Sequence, residues 1–215
     1  FTTASNHLST QMKATGEVMS VGRTLEESLL KAIRSLENSK NHIHMEKFDS
    51  NHMTTDQLLD YIKEGTDDRI YAISQLMWMG VDHSRICNIT QIDMFFLDKI
   101  KKIVDFEKEM EANPDSPELM KAAKKMGFSD SYIAELWNTT EDDIYERRIK
   151  EGLFPVYKMI DTCASEFDSY VPYFYSTYEE ENESIVSDKK KIIVLGSGPI
   201  RIGQGVEFDY STVHA

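Results

Sequence analysis

The stretch 90–112, TQIDMFFLDKIKKIVDFEKEMEA, predicts the longest helix of the chain. Thr90 and Asp93 form the pattern of a helix start, in which side chains bond the free N–H groups of the first turn. Apolar residues then recur at helical spacing, which is typical of a helix with one face in a core. We expect that core face to include Ile92, Phe96, Ile100, Ile103 and Val104. Pro114 lies beyond the expected end, and a helix of this length indicates a mainly α fold.

Shorter helical patterns lie on both sides of this stretch. Thr24 with Glu27 opens one helix, and Thr54 with Gln57 opens another that Gly65 closes. Further helices are expected over 67–79 and 82–87 and after the N-caps Ser116, Ser129 and Thr140. Together these patterns predict an all-α module over about residues 36–152.

The character of the sequence changes at Phe154. The stretch 154–167, FPVYKMIDTCASEF, is interpreted as one more helix, and the β-type residues of 171–178 as an extended segment before an acidic linker. The apolar run 192–195, bounded by Gly196, is typical of a strand buried in a parallel sheet. Because such a strand needs a neighbour and a crossover, we expect the chain to be a piece of a larger protein.

Composition excludes several classes of function. The 215 residues carry a formal net charge of −13, which argues against broad binding to nucleic acid. Cys87 and Cys163 form neither a disulfide framework nor a metal-ligand pair, so reduced thiols are the simpler interpretation. No apolar run approaches the roughly 20 residues that span a bilayer, and the first residues lack the apolar centre of a signal peptide. We therefore expect a cytoplasmic protein with no membrane partner.

Two other patterns match ligand sites only in part. His42, His44 and His52 lie close together near an aspartate, and imidazole with carboxylate could hold a divalent metal. Their spacing fits no rigid ligand pattern, so we expect exposed loop histidines and no metal site. The run 196–203, GSGPIRIG, begins like the dinucleotide fingerprint, but Arg201 replaces its third glycine. A nicotinamide site is therefore not expected.

Several longer runs carry a more specific family resemblance. The run 196–215, GSGPIRIGQGVEFDYSTVHA, resembles the opening of the carbamoyl-phosphate-forming half of carbamoyl-phosphate synthase large subunits. The run 9–37, STQMKATGEVMSVGRTLEESLLKAIRSLE, resembles the end of that family's carboxyphosphate-forming half. Three further runs resemble the helical domain between the halves and its exit. They are NITQIDMFFLDKI at 88–100, PVYKMIDTCASEF at 155–167 and YFYSTYEEENES at 173–184. The runs follow the family's order, and the resemblance implies a large subunit of the bacterial type.

The resemblance implies a mainly α fold, in which a helical oligomerization domain is flanked by short fragments of two α/β ATP-grasp synthetase halves. Residues 1–36 would end the carboxyphosphate synthetic domain, and residues 37–183 would form the oligomerization domain. Residues 184–215 would start the carbamoyl phosphate synthetic domain, with a strand and a glycine-rich loop of a Rossmann-like pre-ATP-grasp domain.

The resemblance also implies a reaction. In this family ammonia, released from glutamine in a glutaminase small subunit, reacts with carboxyphosphate made from bicarbonate and ATP. A second ATP phosphorylates the resulting carbamate, and Mg²⁺ or Mn²⁺ accompanies the nucleotides. The chain would be the connector of this ligase, which feeds pyrimidine and arginine biosynthesis. By itself it would hold no catalytic residue, no metal and no tightly bound ATP, and it would self-associate through an apolar patch that includes Phe95, Phe96 and Ile100.

Individual positions can be carried over from the family pattern. Thr10 lies where a threonine contacts the first ATP. The positions that would line the carbamate tunnel are Met12, Glu17, Arg201, Gly205 and Glu207. Carbamate is short-lived in water, so its path must be walled from solvent, and a glycine leaves such a path open. A structural salt bridge or helix cap is the alternative role for the two glutamates.

Two other classes of function remain as alternatives. Residues 129–152 could form a helix-turn-helix DNA reader, but the second helix would carry Glu141, Asp142, Asp143 and Glu146 toward the phosphates. Those charges have the wrong sign for DNA. The other alternative is a free-standing helical interaction module, which the coding sequence on either side of this segment would distinguish from a connector.

Overall fold

The computed structural model describes residues 5, 7–11, 13, 17–36, 38–168, 173–196 and 214. Over these residues the chain is mainly helical, as expected. The helices are α1 (Leu25–Ser35), α2 (Thr55–Tyr61), α3 (Arg69–Trp78), α4 (His83–Thr90), α5 (Met94–Ala112), α6 (Pro117–Met126), α7 (Asp130–Leu136) and α8 (Glu141–Lys150). A short 3₁₀ turn spans Glu46–Phe48, and the two strands are β1 (Val156–Met159) and β2 (Phe174–Thr177). No described helix combines the length and the apolar character needed to cross a membrane.

Side-chain caps set most of the helix starts, and this explains why the sequence predicts them well. The hydroxyls of Thr24, Thr54 and Thr140 each accept a hydrogen bond from the amide three residues later. Such a cap stabilises a helix by about 1 kcal/mol. The prediction that Thr90 starts the long helix was wrong: Asp93 caps α5, whereas Thr90 ends α4. Gln91, in the left-handed conformation with φ 58°, separates the two helices.

Helix α5 lies at the centre of the core and contacts α1, α3, α4 and α7. Its buried stripe includes Leu97, Ile100, Ile103, Val104 and Met110. The expectation that Phe96 belongs to this stripe was wrong, because its side chain is half exposed. Ile92, the other deviation from the expected core face, is only partly buried.

Helices α7 and α8 form the packed hairpin that their short connection suggests. The first turn of α8 carries three acidic residues, Glu141, Asp142 and Asp143. Because an acidic first turn repels phosphate, this geometry disfavours the DNA-reader alternative. The hairpin instead packs inward through Ile133 and Ile144, neither of which is exposed.

Residues 38–53 differ from the exposed loop that the sequence suggests. Ile43 and Phe48 are buried in the core, and His42 is only 2% exposed. The His42 ring stacks on Tyr132, with centroids 3.9 Å apart and planes 10° apart. The expectation of solvated histidines was therefore wrong for His42 and, in part, for His44, whereas His52 is exposed. Local polarity failed as a guide because two apolar residues bind the segment to the core.

The segment after Phe154 forms a strand and not the helix that was expected. β1 pairs antiparallel with β2, in a register that sets Val156 opposite Thr177 and Met159 opposite Phe174. The β2 segment matches the extended stretch expected there. Local periodicity misled at β1 because cross-strand pairing, a non-local interaction, decides the conformation.

The buried strand expected at 192–195 is also absent from the described residues. Ile192 and Leu195 are each 92% exposed, and 191–196 have no regular secondary structure. A parallel strand is stable only beside a hydrogen-bonding neighbour, and no described strand lies next to this one. The glycine-rich loop that would follow it lies outside the described residues.

A buried ion-pair network joins α6, α7 and α8. The Lys124 ammonium lies 2.7 Å from Asp130 Oδ1, and Arg148 Nε donates to Asp130 Oδ2 at 2.9 Å. Burial alone would raise the pKa of Asp130, but the nearby Lys124 charge and the hydrogen bond from Arg148 outweigh it, so the pKa lies below its ordinary value. Burial lowers the pKa of Lys124 more than the Asp130 carboxylate raises it. Because that carboxylate favours the charged form of Lys124, the ion pair depends on Asp130 remaining ionised.

We predict that Asp130→Asn lowers the free energy of unfolding by about 3 kcal/mol at neutral pH, because it leaves two buried cations without their carboxylate. A carboxyl whose folded pKa is depressed stabilises the fold above its unfolded pKa, and this stability is lost as the pH falls through the folded value. The difference between the two proteins should therefore shrink below about pH 4. Urea unfolding at several pH values measures it.

The neighbouring surface pair provides the control for this prediction. Arg147 on α8 forms an exposed ion pair with Asp115. Asp115→Asn should change the stability by less than about 1 kcal/mol, because exposed ion pairs contribute little. An equal loss in both variants would contradict the role assigned to Asp130.

Candidate interaction surface

Two adjacent phenylalanines near the start of α5 project into solvent. Phe95 is 53% exposed and Phe96 is 50% exposed, and their ring centroids lie 5.4 Å apart in an edge-on arrangement. They are exposed because α5 turns its Leu97 stripe toward the core, which leaves the preceding two positions outside it. Ile100, the third member of the expected patch, is mainly buried. The expected surface is therefore present in its two aromatic members.

An apolar groove of about 500 Å³ adjoins Phe96. Its apolar walls come from α1, α3, α5 and the link between α4 and α5. The apolar members are Leu25, Leu29, Ala32, Ile70, Ile73, Ile92, Phe96 and Ile100. Polar side chains of Ser20, Asp67 and Arg69 also line it. An apolar groove beside exposed aromatic rings is the kind of surface that binds another protein segment.

A buried carboxylate fixes α1 against α5 next to this groove. Glu26, which is only 1% exposed, lies 3.0 Å from Lys102 Nζ and 3.5 Å from Lys99 Nζ. Burial on its own would raise the pKa of Glu26, but a backbone hydrogen bond and the two lysines outweigh it and lower the pKa. Lys99 also lies over the Phe95 ring, 5.4 Å from its centroid. Phe95 and Phe96, which we call the phenylalanine surface, therefore lie on a helix that these ion pairs hold against α1.

A second set of exposed apolar side chains lies around the strand pair. Its members are Phe154, Tyr157, Met159, Phe167, Tyr173 and Phe174. These residues lack a continuous cover within the described chain, and they provide a second surface for packing against other segments.

The residues expected to contact ATP or line a tunnel are only partly described. Thr10 and Glu17 have exposed side chains in the segment before α1. Met12, Arg201, Gly205 and Glu207 lie outside the described residues. The roles carried over to all six positions remain predictions.

The described residues do contain one cluster that sequence reasoning missed. His42 and His44 meet Glu107 of α5, whose Oε1 lies 2.7 Å from His44 Nε2. A signal existed in the sequence, since Glu107 continues the spacing of Ile100 and Ile103 along the buried stripe. A carboxylate at a core position requires a partner, but nothing local identified which one.

The electrostatics of this cluster follow from burial and proximity. Burial lowers the pKa of His42 more than Glu107 raises it. For His44 burial would also lower the pKa, but the hydrogen bond to Glu107 and its charge prevail and raise it. Burial would raise the pKa of Glu107, yet the proximity of His42 and the hydrogen bond with His44 outweigh burial and lower it. The carboxylate is therefore ionised at neutral pH.

Comparison with known protein families gives two matches. The family model described as "Carbamoyl-phosphate synthetase large chain, oligomerisation domain" matches residues 17–152, which is more than half of the chain and includes α1 to α8. The model described as "Carbamoyl phosphate synthase preATP-grasp domain" matches residues 188–215. The two matches agree with the resemblance carried by the sequence runs, in the same order along the chain.

Proposed function

The chain belongs to the carbamoyl-phosphate synthetase large-chain family and carries its oligomerisation domain, and from this premise we propose that two copies associate through the phenylalanine surface of α5. The observation that carries the proposal is the exposure of Phe95 and Phe96 beside an apolar groove. In a symmetric pair the same patch serves both copies, so each Phe pair would meet the partner's groove or rings.

The expected strength of this contact is modest. Covering a half-exposed phenylalanine contributes about 1 kcal/mol, since full burial of such a side chain contributes about 1.5–3 kcal/mol. Four such rings and the groove walls must offset several kcal/mol of lost translational and rotational freedom. We therefore expect association that depends on protein concentration, strengthened in the parent protein by contacts outside the described residues.

For the parent protein we propose glutamine-dependent carbamoyl-phosphate synthesis from bicarbonate, ammonia and two ATP. A glutaminase small subunit would supply the ammonia, and the location would be the cytoplasm. Within this chain, Glu17 with Met12, Arg201, Gly205 and Glu207 would contribute to the tunnel wall. The support is the pair of family matches on either side of the linker, since one belongs to the oligomerisation domain and the other to a synthetic half.

The described residues do not by themselves fit an ATP–Mg²⁺ site. Thr10 alone carries an expected nucleotide contact, and its side chain is exposed. A nucleotide site needs several backbone N–H groups or cations around the phosphates and oxygen ligands for the metal. We therefore place ATP, with Mg²⁺ or Mn²⁺, on other parts of the synthetase.

We predict that Phe95→Ser with Phe96→Ser weakens self-association, because it removes the apolar area that the contact would cover. Sedimentation velocity over a range of protein concentrations measures the change. Tyr145→Ser is the matched control, since this ring on α8 is 52% exposed and belongs to neither of the two exposed apolar surfaces. A strictly monomeric wild type at high concentration would contradict self-association, and unchanged association of the double variant would contradict this surface.

We also predict that the purified 215-residue chain neither hydrolyses ATP nor forms carbamoyl phosphate. A coupled assay for ADP release, with bicarbonate, ammonia and Mg²⁺ present, checks this. Turnover that copurifies with the chain through two columns and scales with its concentration would show that the chain has a nucleotide site of its own.

A further inference from the structure

Three side chains of types that bind metals converge where the 38–53 segment meets α5 and α7. His42 and His44 come from that segment, and Glu107 comes from α5. Each offers one ligand atom, and these atoms all lie within 4.8 Å of one another. The cluster is separate from the phenylalanine surface, and none of its three residues is a position carried over from the family pattern.

The distances suit a small ion with short bonds. His44 Nε2 lies 2.7 Å from Glu107 Oε1, and His42 Nε2 lies 3.6 Å from Glu107 Oε2. A four-coordinate ion with bonds of about 2.0–2.1 Å holds its ligand atoms about 3.3 Å apart. All three ligand atoms lie within 4.8 Å of one another, so rotation of the side chains can bring them around an ion.

Unpartnered polar atoms indicate that the cluster has unused binding capacity. His42 is 2% exposed, yet neither of its ring nitrogens has a hydrogen-bond partner among the described residues. The same is true of Glu107 Oε2. Buried polar groups without partners are rare and costly, and each calls for an explanation. A cation between His42 Nε2 and Glu107 Oε2 would provide a partner for both atoms.

Neighbouring groups already hold these ligands in place. The Tyr132 hydroxyl donates to Glu107 Oε1, which leaves Oε2 free for coordination. The His42 ring is stacked on Tyr132 and tilted against Phe128, with a centroid distance of 4.7 Å to the latter. Groups outside the ligand set that fix ligand orientation are a regular feature of metal sites.

Solvent reaches the cluster from the side of His44. Two surface cavities, of about 260 Å³ and 450 Å³, are both lined by His44 and Tyr132, and the larger is also lined by Glu107. An ion can therefore enter without unfolding of the core. A fourth coordination position would face these solvent-filled cavities.

We propose that His42, His44 and Glu107 bind one divalent transition-metal ion, with Zn²⁺ the ion that suits the site best. Two imidazoles and one carboxylate are a known zinc donor set, and nitrogen donors select against Mg²⁺ and Ca²⁺. The ion clamps the 38–53 segment onto α5. This inference does not depend on self-association or on the synthetase reaction.

The experiment uses the full 215-residue chain without a polyhistidine tag, freed of metal by a chelator. Titration with Co²⁺ should give visible ligand-field absorption that saturates at one equivalent and is removed by Zn²⁺. Competition with a coloured chelator then gives the zinc affinity, and thermal unfolding should shift upward with added Zn²⁺.

Three variants and one control test the assignment. Glu107→Gln keeps the side-chain volume but removes the carboxylate, and His44→Asn changes a partly exposed ligand; each should weaken zinc binding about 100-fold or more. Tyr132→Phe removes only the orienting hydroxyl and should weaken it about 10-fold to 100-fold. His52→Asn, at an exposed histidine of the same segment, should leave the affinity unchanged.

Circular dichroism shows which variants are folded, and His44→Asn, at the most exposed ligand, remains informative if Glu107→Gln does not fold. Absence of stoichiometric Co²⁺ or Zn²⁺ binding by the wild type overturns the proposal. The proposal is also overturned if folded His44→Asn binds zinc as tightly as the wild type does. It is likewise overturned if His52→Asn weakens zinc binding as much as His44→Asn does.

Discussion

The buried stripe of α5 is the constraint on which the rest of the fold depends. Helices α1, α3, α4 and α7 all pack on α5, and the 38–53 segment reaches it through His44. That stripe is apolar except at Glu107, which is 2% exposed. An ionised carboxylate in a core is costly unless it is bonded, so its position dictates what must lie around it. The histidines and Tyr132 are held there by that requirement.

The same constraint explains why the two phenylalanines are exposed where they are. The core packs against the buried stripe of this 19-residue helix, and Phe95 and Phe96 lie outside that stripe near the start of the helix. Their exposure next to a groove formed by α1 and α3 results from the tilt of the core stripe. Core packing and surface recognition are thus set by one helix.

Much of the helical fold could be predicted from the sequence, because its signals are local. Thr24, Thr54 and Thr140 show their capping role within four residues, and apolar spacing shows which faces are buried. Predictions failed where the deciding partner is distant. β1 depends on β2, and within the described part of the chain no strand lies beside the 192–195 run to pair with it.

The functional positions divide in the same way. The phenylalanine surface was predictable in part, since aromatic residues on a long helix are candidates for contact, although Ile100 proved to be core. The His42–His44–Glu107 cluster was not, because 63 residues separate His44 from Glu107 and the histidines alone resemble a solvated loop. The positions expected to line the tunnel stay predictions, since they require the other synthetase segments around them.

One lysine gives the connector a mechanical property. The Lys31 ammonium donates to Val21 O at 2.9 Å, to Glu27 Oε1 at 2.7 Å and to Ser176 O at 2.7 Å. Its three N–H groups thus join the segment that leads into the domain, the first helix and the strand that leads out. A displacement of Val21 therefore has a hydrogen-bonded route through the Lys31 ammonium to Ser176 on the outgoing strand.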